Sequence, residues 1–241
     1  MPFIHIYSAF IHNTIIFFDG NVGYNKSFHS FAAAMSENEI KDRIRQAAEA
    51  LVMQYGIRSV SMDDIAANLG MSKKTIYQYF RDKEELVDEI VAAKLNENQC
   101  TCTTDKARAE NAVQEIFLAR EMVAEMMRCM NPSILFDMQK YHPAVYERFR
   151  KHKNDFLLKT MKENLKRGID EGLFREDIHV DIIARFRVES DFIPFNPDFI
   201  QQLNVNLVDA EKEIIIHYVF GIVTPKGYKL VQKYLSAEKL K

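Results

Sequence analysis

The sequence predicts an all-α fold, and three observations support that class. Only 8 glycines and 6 prolines occur among 241 residues, so few positions interrupt a helix. Apolar residues recur at steps of three and four along most of the chain, without the alternation typical of strands. Residues that favour helix N-caps stand directly before several of these periodic segments. We therefore expect a chain built from helices and short turns.

The first 35 residues differ in composition from the rest of the chain. Residues 3–18, FIHIYSAFIHNTIIFF, are apolar and β-branched and contain no lysine or arginine. They lack the positive start of a secretory signal and are short for a membrane span. Met35 stands directly before Ser36, which can form a helix-capping box with Glu39. We expect 1–35 to be an extension outside the fold, and a natural start at Met35 is favoured over a functional anchor.

Four helices are expected directly after this extension. The first carries an apolar stripe that Gly56 ends. Ser61 can cap a short second helix that closes at Gly70, a residue suited to the left-handed C′ position. Ser72 and Asp82 can cap a third and a fourth helix. Two short helices joined by a glycine turn, with longer helices before and after, make a helix-turn-helix within a small bundle.

The third helix has an outward face of hydroxyls, amides and lysines. Ile76 and Phe80 are its inward positions, and the outward ones are Ser72, Lys73, Lys74, Thr75, Tyr77 and Gln78. Such a face can enter the major groove of DNA, where base edges present donors and acceptors. Lys83 and the first amides of the fourth helix suit a phosphate, as do the hydroxyls of Tyr77 and Tyr79. The alternative is a solvated basic helix, and the combined spacing favours DNA.

Residues 61–86, SMDDIAANLGMSKKTIYQYFRDKEEL, resemble the DNA-binding signature of the tetracycline-repressor (TetR) family. The resemblance covers about residues 36–95 and depends on many positions at fixed spacing. It implies that bases are read by Lys73, Lys74 and Thr75. It implies that phosphates are held by Ser61, Tyr77, Tyr79 and Lys83. Tyr79 departs from the family pattern, in which histidine is frequent, and its hydroxyl can serve the same purpose.

The resemblance also implies a division of the chain. A helix-turn-helix DNA-binding domain is expected at 36–100, and a helical ligand-binding and dimerisation domain at 101–241. Within the second domain, apolar periodicity predicts a helix that begins near Asp105 and another from about Pro143 to Asp170. Further helices are expected at 177–190, 209–220 and 225–235.

Arg120 is the charged residue that stands out in the second domain. At helical spacing it falls within an apolar stripe, where a charge needs a partner. An internal salt bridge to a glutamate or to Asp137 is favoured over a pocket that receives an acidic ligand. The pocket interpretation adds as lining residues Phe117, Met127 and Phe156.

The last helices carry broad apolar faces that a short bundle has little room to bury. The residues concerned are Ile178, Ile182, Phe186, Ile215, Val219 and Ile222. The resemblance implies a two-fold interface at such helices. We therefore expect a homodimer that reads a near-palindromic operator in double-stranded DNA. Burial of these residues in the core of one chain is the alternative.

Several classes of function find no support in the sequence. There is no G-x-S-x-G, Walker loop or H-E-x-x-H, so no enzyme is expected. Cys100 and Cys102 lack a second close pair and a suitably spaced histidine, so no metal site and no cofactor are expected. Three cysteines give no disulfide framework, which favours a reducing, cytoplasmic location, and no membrane partner is expected.

The resemblance implies a transcription regulator, most often a repressor, that an unidentified small-molecule effector releases from its operator. One alternative is a constitutive DNA-binding adaptor controlled by a protein partner, which would have a filled C-terminal core without a cavity. Another is an enzyme with an attached DNA-binding head. That would need converging catalytic groups in the second domain, and the sequence shows none.

Overall fold

The computed structural model describes residues 36–196, 199, 203 and 205–238. The expected extension at 1–35 lies outside the described residues. The rest confirms the all-α class. The helices are α1 (Glu37–Tyr55), α2 (Met62–Leu69), α3 (Lys73–Tyr79), α4 (Lys83–Arg108), α5 (Ala112–Arg128), α6 (Ile134–Tyr141), α7 (Pro143–His152), α8 (Leu158–Asp170), α9 (Val180–Ser190), α10 (Leu207–Ile222) and α11 (Pro225–Glu238).

The short helices begin and end at the residues that the sequence predicted. At the start of α2, the Ser61 hydroxyl accepts the Asp64 N–H at 3.2 Å, and the Asp64 carboxylate accepts the Ser61 N–H at 2.8 Å. Gly70 closes α2 with φ 63, in the left-handed region. Ser72 and Asp82 have extended backbone and cap α3 and α4 through their side chains. These caps satisfy amides that would otherwise lack partners at the helix starts.

One apolar core joins the helix-turn-helix to the helices that come after it. Ile44 of α1, Ile65 of α2 and Ile76 of α3 are all at most 1% exposed. Phe80 packs in the same cluster, together with Val145 of α7. We call this cluster the first core. Its continuity means that α3 is held by packing from several helices rather than by its own seven residues.

A second core lies between α5, α8, α9, α10 and α11. It contains Val113, Leu165, Ala184 and Val219, each at most 2% exposed, and also Val231. The described residues therefore bury two large apolar clusters and one small one, and the first core draws residues from both sides of the expected domain division. The division itself, at 100/101, falls inside α4 and stays a prediction.

α4 is longer than the sequence analysis expected. The predicted new helix near Asp105 is wrong, because α4 continues without a break to Arg108 and α5 begins only at Ala112. The polar stretch between contains no glycine or proline to stop a helix. Thr103 and Thr104 donate their hydroxyls to carbonyls four residues back, at 2.8 and 3.0 Å, as hydroxyl residues inside helices do.

A π-helical turn, Lys153–Leu157, connects α7 to α8 without interrupting the helical run. Its mark is the bond from the Leu158 N–H to the Lys153 carbonyl, five residues back. Val145 on the α7 side packs in the first core, whereas Leu165 on the α8 side packs in the second. The helix predicted from Pro143 to Asp170 therefore exists as one run that serves two cores.

No helix in the described ranges combines the length and the apolar character that a bilayer span requires. The three cysteines are free thiols. Burial raises the pKa of the half-buried Cys102 thiol to about 11, so this thiol stays protonated at neutral pH. It therefore behaves as a small apolar side chain of α4.

Candidate nucleic-acid interface

α3 has one buried face and one exposed face, as its sequence predicted. Ile76 is 0% exposed, and Phe80, directly after the helix, is also fully buried. The exposed positions are Ser72, Lys73, Lys74, Tyr77 and Gln78, whereas Thr75 and Tyr79 are half-buried. Tyr79 packs against the first core, so only part of its side chain is available to a partner.

The two lysines at the start of α3 differ in their surroundings. Lys73 Nζ donates to the Asp63 carboxylate at 2.8 Å, and this hydrogen bond raises the pKa of the lysine. Lys74 is exposed and makes no ion pair with a carboxylate within the described part of the chain. Lys74 can therefore contact a base edge directly, while Lys73 must first leave Asp63.

Hydroxyl groups near α3 are engaged in local bonds. Ser72 Oγ lies 2.8 Å from Thr75 Oγ1 and also accepts the Thr75 N–H at 3.0 Å. Ser61 Oγ donates to the Asp64 carboxylate at 2.6 Å, and hydrogen bonds from Ser61 lower the pKa of Asp64. A phosphate at the start of α2 would therefore meet a charged carboxylate beside the Ser61 hydroxyl.

Lys83, the first residue of α4, forms a hydrogen bond within the chain. Its Nζ donates to the Ile57 carbonyl at 2.5 Å, in the turn between α1 and α2. Burial lowers the pKa of Lys83, opposed by the nearby carboxylates of Asp137 and Asp64. The ammonium group therefore links α4 to the α1–α2 turn. This structural contact was missed in the sequence analysis, which expected only a phosphate contact.

The α1–α2 turn is also bound to α6. The Arg58 N–H donates to the buried Asp137 carboxylate at 3.0 Å. Gly56, with φ 85, lies so close to α6 that a Cβ there would be 2.7 Å from Ser133 Oγ. The Asn131 N–H donates to the Met53 carbonyl at 2.6 Å, just before α6. The turn that precedes α2 is therefore fixed by the segment around α6.

Two more contacts bind α4 to α6 and α7. His142, between α6 and α7, is 8% exposed, and its Nδ1 contacts the Glu84 carboxylate. Arg148 of α7 makes two parallel bonds of 2.8 Å to Asp88. No spacing in the sequence signals these pairs, because their partners lie about 60 residues apart. These contacts with α6 and α7 thus fix the position of the first turns of α4.

The four predicted pocket residues do not converge. Phe117 and Arg120 border a space of only about 10 Å³, which is too small for a ligand. Met127 lies in a separate apolar cluster with Phe195 and Leu207. Phe156 is beside His152, at 5.1 Å between ring centroids. The pocket prediction is corrected, because Met127 is two helical turns along α5 from Arg120 and lies in a different cluster. Arg120 itself is 8% exposed, within the stripe where the sequence placed it.

A larger space is open between α1, α4 and α5. It measures about 1050 Å³ and is lined partly by methionines, which are Met53, Met122, Met126 and Met130. At its rim Lys94 bridges the Glu49 and Glu97 carboxylates, at 2.7 and 2.8 Å. Arg120 takes no part in this groove.

The six predicted interface residues fall into two groups. Ile182 and Phe186 of α9 are 61% and 51% exposed, and Ile178 is half-buried. The other three are buried inside the second core at 2–3% exposure, and they are Ile215, Val219 and Ile222. The interface prediction is corrected for these three, because α10 packs them against α5 of the same chain.

Comparison with known proteins finds relatives of this chain in sequence and in fold. Residues 44–90 match the family model "Bacterial regulatory proteins, tetR family". The chain is 26% identical to the HTH-type transcriptional repressor KstR2 of Mycobacterium tuberculosis over 154 residues, which cover 62% of this chain and 76% of that protein. It is 30% identical to the HTH-type transcriptional regulator YvaF of Bacillus subtilis over 93 residues, or 38% and 48% of the two chains.

Solved structures agree in fold. A TetR-family transcriptional regulator from Agrobacterium tumefaciens has a TM-score of 0.66 at 16% identity, covering 78% of this chain and 99% of that one. The ketosteroid transcriptional regulator KstR2 of Mycobacterium tuberculosis has a TM-score of 0.54 at 18% identity, covering 78% and 97%. The family match includes α2, α3 and the first turns of α4, whose geometry is that of a helix-turn-helix. Residues 44–90 of this chain are therefore a domain of the tetR family of bacterial regulatory proteins.

Proposed function

We propose that the chain is a repressor that binds a near-palindromic operator as a homodimer and leaves it when a small molecule binds. The observation that carries the proposal is the exposed polar face of α3, held rigidly on the first core by Ile76 and Phe80. A rigid helix with exposed hydroxyl, amide and ammonium groups suits the major groove. The name of the relative KstR2, a transcriptional repressor, supports repression over activation.

Within this proposal, the base-reading face is formed by Lys73, Lys74, Thr75 and Gln78, and the exposed Tyr77 holds a phosphate through its hydroxyl. The first turns of α2 and α4, with Ser61 and the amides after Asp82, hold phosphates. Lys74 leads this assignment because it makes no ion pair in the described part of the chain.

The test compares Lys74→Ala with Lys73→Ala on operator and on random DNA. Lys74→Ala should cost about 1–3 kcal/mol on the operator and much less on random DNA, because a base contact is lost. Lys73→Ala should cost less on the operator, because Lys73 is already paired with Asp63 at 2.8 Å. The operator can be found by genome-wide mapping of binding sites. Equal losses on both DNAs for Lys74→Ala would rule out base reading.

The dimer part of the proposal is supported by Ile182 and Phe186, two exposed apolar residues four positions apart on α9. An isologous patch of this kind supplies the two-fold symmetry that a palindrome requires. Ile182→Glu with Phe186→Glu should produce a folded monomer with weak operator binding, measured by light scattering and circular dichroism. Ile215→Glu is the matched contrast and should unfold the chain, because that residue is 3% exposed. A wild-type chain that is monomeric at micromolar concentration would exclude the dimer.

A second candidate is an adaptor that a protein partner controls. It is favoured by the filled space around Arg120, where only about 10 Å³ is free. The groove between α1, α4 and α5 favours a small molecule instead, because about 1050 Å³ is in the range of such sites. A regulator from Saccharomonospora viridis with the same fold, at a TM-score of 0.60 and 17% identity, was solved in complex with choline.

Fractionated cell extract separates the two candidates. Release of the operator complex by the low-molecular-mass fraction alone would support a small-molecule effector. Release only by the protein fraction would support the adaptor and overturn the ligand part of the proposal. Circular dichroism of the released protein checks that its fold is intact.

A further inference from the structure

Arg58 and Lys140 both lie close to one exposed aromatic ring, that of Tyr141. The Arg58 guanidinium is 5.5 Å from the centroid of the Tyr141 ring, and Lys140 Nζ is 5.4 Å from the same centroid. Lys140 Nζ is also 5.4 Å from the ring of Phe136. The rings of Tyr141 and Phe136 are 38% and 48% exposed. We call these four residues the aromatic-cation patch.

Neither Arg58 nor Lys140 makes an ion pair within the described parts of the chain. The carboxylates nearby are engaged, since Asp137 accepts the Arg58 N–H and Glu84 contacts His142. Two like charges around one ring repel each other, and the ring faces offset this repulsion only in part. An anion placed between them would relieve it.

The patch borders the surfaces to which the proposed function assigns phosphates. Arg58 lies in the α1–α2 turn, three residues before the α2 N-cap Ser61. Lys140 and Tyr141 end α6, and the next residue, His142, contacts Glu84 in the first turn of α4. The patch is therefore attached to the starts of both α2 and α4. Its cations extend the expected phosphate-binding surface onto α6, outside the helix-turn-helix.

We propose that the aromatic-cation patch binds the DNA backbone beside the half-site that α3 reads, so that α6 is part of the DNA interface. This inference rests on the proposed function and lengthens the stretch of DNA that the protein contacts. Arginine and lysine without carboxylate partners are the side chains that neutralise phosphates. The Tyr141 hydroxyl beside them adds a donor to a phosphate oxygen. Such contacts carry no sequence information, so they would add affinity without adding specificity.

The test uses the full chain with Arg58→Gln and Lys140→Gln, singly and together. Both side chains are exposed, and the Arg58 backbone bond to Asp137 is kept. The double variant should lower the slope of log affinity against log salt by about two units, and the affinity by about tenfold at low salt, on operator and random DNA alike. Lys229→Gln, an exposed lysine on α11, should change neither. Arg58→Lys should keep most of the affinity because it keeps the charge.

DNA length supplies a second readout. On a duplex trimmed to the half-sites, the wild type and the double variant should bind equally, because the flanking phosphates are gone. A double variant that binds long DNA like the wild type, with an unchanged salt slope, overturns the patch. If the double variant binds like the wild type but Lys74→Ala still reduces the preference for the operator, the patch is ruled out and the proposed function is kept. If the wild type binds no DNA, the proposed function itself fails. Circular dichroism of the double variant guards against misfolding as a cause.

Discussion

The helix-turn-helix and the helices after it differ in where they place charged residues. Within described residues 36–104, every buried side chain is apolar, and the charged side chains lie at least partly on the surface. The later described residues bury several polar and charged side chains, and they are Asp105, Glu115, Arg120, Asp137, His142, Asn164, Arg187, Ser190 and Glu211. The helix-turn-helix thus keeps its charges at the surface, where several pair with one another, whereas the later helices also bury charges between them.

The buried charges of the second region connect helices that are distant in sequence. Arg167 of α8 donates to the Glu115 carboxylate of α5 at 3.1 Å and to the Ala109 carbonyl at 2.8 Å. Arg187 of α9 contacts Asp191, and its guanidinium lies 5.4 Å from the ring of Tyr218 on α10. Such pairs fix which helices pack together, and they are costly to break because a buried charge then loses its partner.

The largest effect is expected for Arg187→Leu. Burial lowers the pKa of Arg187, opposed by Tyr218 and by the nearby Glu211 carboxylate, so its charge depends on these neighbours. Removing the guanidinium should lower the free energy of unfolding by about 3–5 kcal/mol, because the nearby Glu211 carboxylate, which is 2% exposed, then loses this cation. Denaturant titration measures the loss.

The matched control is Arg185→Leu on the same helix. Arg185 is an exposed residue that pairs with Glu189 at 3.3 Å, and exposed pairs contribute at most about 1 kcal/mol. Equal losses of unfolding free energy for the two variants would mean that a buried charge in this region contributes no more to stability than an exposed one. A small loss for Arg187→Leu would mean that the second core does not depend on its buried charges.

Gly56→Ala should have the next largest effect. Gly56 has φ 85, and an added Cβ would lie 2.7 Å from Ser133 Oγ and 3.2 Å from the Asp137 carboxylate. The left-handed backbone and the crowding together should cost about 2–4 kcal/mol. Gly70→Ala is the matched comparison, because Gly70 has φ 63 with nothing within 4 Å of an added Cβ. It should cost only about 1–2 kcal/mol. Thermal unfolding of both variants compares them, and a larger loss at Gly70 would contradict the close contact with α6.

Lys83→Ala should have the smallest effect on stability, about 1–2 kcal/mol. The ammonium group of Lys83, at the start of α4, donates to the backbone carbonyl of Ile57 at 2.5 Å. Losing this hydrogen bond is the expected cost. Lys74→Ala, the exposed control, should change the free energy of unfolding by less than about 0.5 kcal/mol. If Lys83 also reaches a phosphate, its removal lowers the salt slope of DNA binding by about one unit. An unchanged stability with a lowered slope would make Lys83 a DNA contact alone.

The helix-turn-helix was largely predictable from sequence, because its features are local. The caps Ser61, Ser72 and Asp82, the C-cap Gly70 and the inward Ile76 all follow from residue type and spacing. Each depends on neighbours within four residues, and the first core only reinforces the same choice. The inward and outward faces of α3 were therefore predicted correctly.

The second region was predicted less well, because its outcome depends on which helix packs where. Ile215 and Ile182 look alike in sequence, yet α10 buries the first at 3% exposure and α9 leaves the second 61% exposed. The contact between the α1–α2 turn and α6 was missed for a related reason, because Arg58 and Asp137 are 79 positions apart. Periodicity identifies an apolar face but does not say whether that face meets its own chain or a second copy.

The π-helical turn at Lys153–Leu157 has a geometric consequence for the two cores. An α-helix advances about 100° per residue, so in a regular helix the apolar stripes around Val145–Phe149 and Leu158–Leu165 would point roughly 170° apart. One extra residue in a π turn removes about 100° of rotation, which brings the two stripes to roughly 70–90° of each other. The angle about the helix axis between the side that faces the first core and the side that faces the second is therefore set by a single inserted residue.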